Sequence, residues 1–175
     1  MKKPRATRLF LSILGLASSA CAQEHALDVA PTPARPAWSR SGHDLRPLSP
    51  ERIAEIVKTL PPEAVDVTQR AGTERAGTSP LLKNKEKGVY VSVVGGLPLF
   101  RSEAKFESGT GWPSFYEPID PDHVVLREDR SHGMTRVEAL DARSGAHLGH
   151  VFDDGPKPTG KRYCNNGVAL KFIPA

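Results

Sequence analysis

The sequence predicts a small α+β or mostly β domain with antiparallel sheets, its short helices grouped at the front. Three observations carry this. One amphipathic helical period, 50–60, comes first. From Gly88 onward, runs rich in β-branched and aromatic residues alternate with Gly/Asp/Asn turn clusters. Between those runs there is no long helical period, so the strands lack the crossover helices that parallel pairing needs.

The first 22 residues form a separate element. Lys2, Lys3, Arg5 and Arg8 precede the apolar run 9–17 (LFLSILGLA), and small residues follow. This is the layout of a bacterial export leader, and the run is too short to span a bilayer. Two processing readings stay open. Ala20-Cys21-Ala22 fits a small-x-small cut after Ala22. Ser18-Ser19-Ala20-Cys21 is similar to a lipoprotein box, which would leave Cys21 acylated and the protein attached to a membrane. Either way the expected location is outside the cytoplasm, periplasmic or membrane-anchored. The chain of 175 residues carries 24 Lys+Arg against 20 Asp+Glu. Without the leader's four basic residues the remainder is formally neutral, so its charge gives no reason to expect nucleic acid as a partner.

Residues 23–48 hold Pro31, Pro33, Pro36 and Pro47 without an apolar period and read as a semi-extended linker, with Trp38 either a docking residue or packed on its own domain. The domain itself is expected over 49–175. Ser49-Pro50 is an N-cap and first-turn proline; Ile53, Ile56, Val57 and Leu60 follow at helical spacing until Pro61-Pro62 stops the helix. A second short helix is expected over 63–69. Strands are expected over 88–94 and 97–101, joined at Gly95-Gly96, and over 124–128, 134–140, 148–152 and 168–173.

Four short segments concentrate unusual polar and aromatic residues: 109–115 (GTGWPSF), 147–152 (HLGHVF), 153–156 (DDGP) and 162–166 (RYCNN). Cys164 lies in a polar, cationic stretch, where a structural cysteine seldom hides, and a nearby cation such as Arg162 favours the reactive thiolate. It reads as a nucleophile. His147 and His150 are open to three readings: a satisfied structural pair, metal ligands without enough companions, or orienting imidazoles. On a regular strand residues three apart face opposite ways, so both enter one site only if a bulge or twist near Gly149 allows it. Trp112 is either core packing or the aromatic wall of a pocket.

In their order and spacing, GWPSF, HLGHVF-x-DGP and RYC-x-N, together with Gly72-Thr73-Glu74-Arg75, Gly88-Val89-Tyr90-Val91 and Ser131-His132-Gly133-Met134, resemble the methionine-R-sulfoxide reductase (MsrB) family over roughly 69–173. The resemblance implies two antiparallel sheets (the MsrB-like β-tent fold) with the site on their open face. It implies reduction of the R epimer of methionine sulfoxide, free or in proteins and peptides. By motif position it makes Cys164 the nucleophile, with His147, His150, Arg162 and Asn166 as catalytic companions and Trp112, Phe152 and Asp154 as substrate contacts.

The sequence departs from that family in two places. Many members carry a resolving cysteine where Thr110 stands here, so the resemblance implies a one-cysteine cycle cleared by an external thiol, such as a thioredoxin-like protein. Many also hold zinc through two CxxC pairs. The matching positions are Ser92, Gly95, Asp141 and Ser144, so no metal or other cofactor is expected. A monomer is expected. Two other functions fit the same residues: a non-catalytic module or sensor that binds oxidised methionine, and a Cys-His acyl hydrolase.

Overall fold

The computed structural model describes residues 35–175. The leader, Cys21 and the first part of the expected linker lie outside the described residues. No helix among the described residues is long and apolar enough to cross a membrane.

Two helices come first. α1 (Pro50–Val57) is capped by Ser49, whose hydroxyl accepts from the Arg52 amide at 3.2 Å. It stops before the expected Leu60, because Thr59 and Leu60 close tight turns back to Ile56 and Val57 ahead of the prolines. α2 (Pro62–Arg70) buries Ala64, Val67 and Thr68, and ends where Ala71 turns into the left-handed region at φ 54°.

The strands are β1 (Gly88–Ser92), β2 (Pro98–Arg101), β3 (Lys105–Phe106), β4 (Ser114–Phe115), β5 (Val124–Asp129), β6 (Arg136–Asp141), β7 (His147–Phe152), β8 (Arg162–Asn165) and β9 (Leu170–Pro174). They form two antiparallel sheets: three strands in the order β2-β1-β9 and six in the order β3-β4-β8-β7-β6-β5. β6 starts two residues later than the sequence suggests, because Ser131–Gly133 winds into a tight helical turn with His132 at φ 54°. β9 likewise starts after the turn Gly167–Ala169.

An aromatic seam joins the sheets. Phe100 of β2 stacks on Phe115 of β4 at 4.3 Å, and Tyr90 of β1 meets the same ring edge-on at 4.8 Å. Leu99, Leu148, Val151 and Leu170 complete this core, and the first two of these are fully buried. Burying each such side chain stabilises by about 1.5–3 kcal/mol.

The described part of the expected linker, 35–48, is docked rather than free, and the compact unit begins at Arg35. Leu45 enters the core. Ser39 and Ser41 reach the buried His123 and Asp120: Ser39 Oγ lies 2.9 Å from His123 Nε2, and Ser41 Oγ donates to Asp120 at 2.7 Å. The Arg35 guanidinium donates to the Ala142 carbonyl at 2.7 Å. Proline content says nothing of partners some eighty residues away.

Candidate active site

The register of the six-stranded sheet builds the site. Arg127 of β5 pairs with Glu138 of β6, Glu138 with His150 of β7, His150 with Cys164 of β8, and Cys164 with Ser114 of β4. Residues directly opposite share a face and sit about 4.5–5.5 Å apart at Cβ. The neighbouring row pairs Asp129 with Arg136 and Phe152 with Arg162. Thus one sheet face collects a thiol, an imidazole, two acids and three guanidinium groups.

A bulge brings in the second imidazole. Pairing between β6 and β7 steps from Ala139↔Gly149 to Leu140↔His147, leaving Leu148 without a partner. Leu148 turns into the core, and His147 joins His150 on the site face with ring centroids 5.3 Å apart. The bulge expected near Gly149 is therefore present. Gly149 has a further duty: a Cβ there would lie 2.0 Å from the Cys164 carbonyl oxygen, so only glycine lets β7 approach β8 this closely.

The two histidines have different settings. His150 lines the cleft, and its Nε2 lies 2.8 Å from Asp129, which also accepts from Arg136 at 2.7 Å. Hydrogen bonds from Ser131, then from His150, hold the Asp129 carboxyl far below the usual carboxylate range. His147 is 3% exposed, and burial lowers its pKa despite the Glu138 carboxylate 2.7 Å from its Nδ1. A buried imidazole is favoured neutral.

A cleft of about 130 Å³ opens over this face. Trp112, His150, Phe152, Cys164 and Asn166 line it, with Thr73 and Arg136. His147 sits behind His150 and does not line it. Arg162 is buried beneath the Phe152 ring, 4.3 Å from its centroid, and makes a two-pronged pair with Asp154 at 2.8 Å for both bonds. Asp154, then the Cys164 sulfur, raise the Arg162 pKa. Asp154 itself faces solvent beside Arg162 and does not line the cleft.

Asn166 also serves the frame. The Asn166 carbonyl accepts from the Glu74 amide at 2.9 Å, and its amide donates to the Leu148 carbonyl at 3.1 Å. The Glu74 carboxylate accepts from the Gly167 and Val168 amides at 2.7 and 3.0 Å, and the Glu74 carbonyl accepts from the Trp112 indole at 3.1 Å. Asn166 therefore holds the loop that aims the indole. Thr110 stands beside the nucleophile, its Oγ1 3.8 Å from the Cys164 sulfur.

Sequence reasoning missed Arg127, Asp129, Arg136 and Glu138. The available signal was an acid, Glu138, between Val137 and Ala139 in the middle of a strand.

The positions matching the family's zinc ligands also meet. Ser92 Oγ accepts from the Gly95 amide, and Asp141 Oδ1 accepts from the Arg143 and Ser144 amides and the Ser144 hydroxyl. A Cβ on Gly95 would lie 2.1 Å from that carboxylate. One carboxylate already engaged and two hydroxyls, with no thiolate or imidazole, do not fit the donor set of a structural zinc. Among the described residues no group of three or more His, Cys, Asp and Glu side chains is placed to hold a metal ion.

Comparison with known proteins agrees with this geometry. A family model described as SelR domain matches residues 60–174. The chain is 56% identical over 118 residues to "Peptide methionine sulfoxide reductase MsrB" of Methanosarcina barkeri, covering 67% of this chain and 83% of that protein. It is 50% identical over 131 residues to the protein of the same description from Xylella fastidiosa, covering 75% and 84%. With that of Leptospira interrogans the identity is 52% over 115 residues, covering 66% and 88%.

Proposed function

This chain belongs to the MsrB family and is a methionine-R-sulfoxide reductase of oxidised peptides or proteins; we propose that it works by a one-cysteine thiol cycle outside the cytoplasm. The observation that carries the mechanism is the direct cross-strand pairing of Cys164 with His150 under a cleft that Trp112 also lines.

The Cys164 thiolate attacks the electron-poor sulfur of the sulfoxide while His150, held by Asp129, delivers a proton to its oxygen. The protonated oxygen then passes as hydroxyl to the cysteine sulfur, as the new sulfur–sulfur bond and the old sulfur–oxygen bond both break. Methionine leaves with its sulfur reduced by two electrons, and Cys164 is left as a sulfenic acid, oxidised by the same two. Arg162 supplies positive charge beside the attacking sulfur. Trp112 gives the substrate methyl a flat apolar face, worth about 0.3–1.5 kcal/mol as a sulfur–aromatic contact. Acid help of this kind is typically worth about 10²–10⁴-fold.

Thr110 next to the sulfur offers no thiol. One external thiol condenses with the sulfenic acid and releases water, and a second restores Cys164 as a disulfide of the reductant departs. A thioredoxin-like protein has that chemistry. The leader reading supports export, with Cys21 either removed or lipidated; we take the protein as a monomer that needs no zinc.

The test is turnover with dithiothreitol on resolved R and S sulfoxides, alongside a sulfenic-acid trap. We expect repeated turnovers on the R epimer, a trapped Cys164, and none of either in Cys164→Ser. Residual turnover in Cys164→Ser would name the wrong nucleophile. Binding without turnover in the wild type would favour the sensor reading.

A further inference from the structure

We propose that Glu138 is a positioning residue that, with Arg127, fixes which nitrogen of His147 carries its proton. The proposal rests on the reductase reading of this site and adds a role for two residues outside the cleft. Glu138 lies in the middle of β6 and is 4% exposed. Its two oxygens have separate tasks. Oε2 accepts from Arg127 Nε at 3.0 Å and from a terminal nitrogen of the same guanidinium at 2.7 Å. Oε1 lies 2.7 Å from His147 Nδ1.

A carboxylate only accepts hydrogen bonds, so His147 Nδ1 must be the donor. A neutral imidazole with its proton on Nδ1 has a bare lone pair on Nε2. That Nε2 is buried and has no partner among the described residues. The ring stands edge-on to His150, centroids 5.3 Å apart. The cluster thus keeps an unprotonated acceptor directly behind the imidazole that faces the cleft. The opposite tautomer would point an N–H there instead and compete with the proton traffic His150 conducts.

Arg127 makes this assignment testable, because its N–H groups accept nothing in return. In Glu138→Gln, which keeps the shape, Arg127 claims the amide oxygen. The amide NH₂ then faces His147 Nδ1, which must become the acceptor, and the ring proton moves to Nε2. Adding Arg127→Ala frees the amide to turn its oxygen back toward Nδ1–H. Arg127 is 64% exposed at its side chain, so its removal leaves the core intact.

The experiment combines nitrogen-15 NMR of labelled histidines with steady-state kinetics on the full chain, using dithiothreitol and an R-sulfoxide peptide. In Glu138→Gln the His147 signals should switch to the Nε2–H pattern and kcat should fall about 10²-fold, the low end of what aligned acid–base groups supply, with KM little changed. The double variant should recover the Nδ1–H pattern and most of kcat. An unchanged tautomer in Glu138→Gln, or a double variant no better than the single one, overturns the proposal. The NMR reading needs no turnover: a wild type inactive on the R epimer would sink the reductase mechanism and leave the tautomer result standing.

Discussion

Asn166→Ala separates framework from chemistry at this site. The Asn166 side chain, 4% exposed, makes two hydrogen bonds, accepting from the Glu74 amide and donating to the Leu148 carbonyl. The Leu148 oxygen keeps a second donor, the Asn166 amide at 2.8 Å. The Glu74 amide keeps none, and that residue is 3% exposed. Two net hydrogen bonds contribute about 1 kcal/mol each, and a stranded buried donor costs about 1–3 kcal/mol more. We expect a loss of about 3–5 kcal/mol, which for a domain of this size lowers Tm by roughly 10–20 °C. The Glu74 carbonyl that holds the Trp112 indole should loosen with it, so KM should rise in the surviving folded protein. Calorimetric melts and kinetics below the transition read both effects. A Tm within about 2 °C of wild type, together with a collapse of kcat, would refute this account and place Asn166 among the reacting groups.

Three further outcomes follow from the geometry. Trp112→Ala removes the apolar wall; a sulfur–aromatic contact plus one buried methyl sums to about 1–2 kcal/mol, so kcat/KM should fall about tenfold, and unchanged kinetics would return Trp112 to plain packing. Gly95→Ala drives a methyl against Asp141 and should cost about 3 kcal/mol in urea unfolding, with Asp141→Ala on top costing far less than the sum; simple additivity would show that the two turns do not press on each other. Burial lowers the pKa of His147, so the fold favours its neutral form: this stability is complete above the unfolded value near 6.5 and declines as pH falls below it. Melts from pH 8 to 5 should show a steeper acid loss in wild type than in His147→Gln, and parallel curves would remove His147 from the balance.

The sequence made some parts of this protein readable and concealed others for a physical reason. The β1–β2 hairpin was visible because its signals are local: β-branched residues, then Gly95-Gly96. β8 was not read as a strand, because its alternate positions carry site groups, Arg162 and Cys164, instead of an apolar stripe. β3 and β4 have two residues each and leave no period. The gapped motifs located Cys164, His150, Trp112 and Phe152, which the fold does gather in one cleft. The roles of Asp129, Arg136 and Glu138 arise from cross-strand register, and register is a long-range property that no local pattern records. The packing of 35–48 was hidden for the same reason, since His123 and Asp120 are distant in sequence.

The unpaired Leu148 makes the chemistry depend on counting. Another aliphatic residue in its place would keep both rings on the site face. Pairing Leu148 with Leu140 instead would straighten the strand and exchange a hydrocarbon for an imidazole between interior and site face, so a shift of register that keeps every side chain would still part the two histidines. In β7, register matters to the site as much as residue identity does.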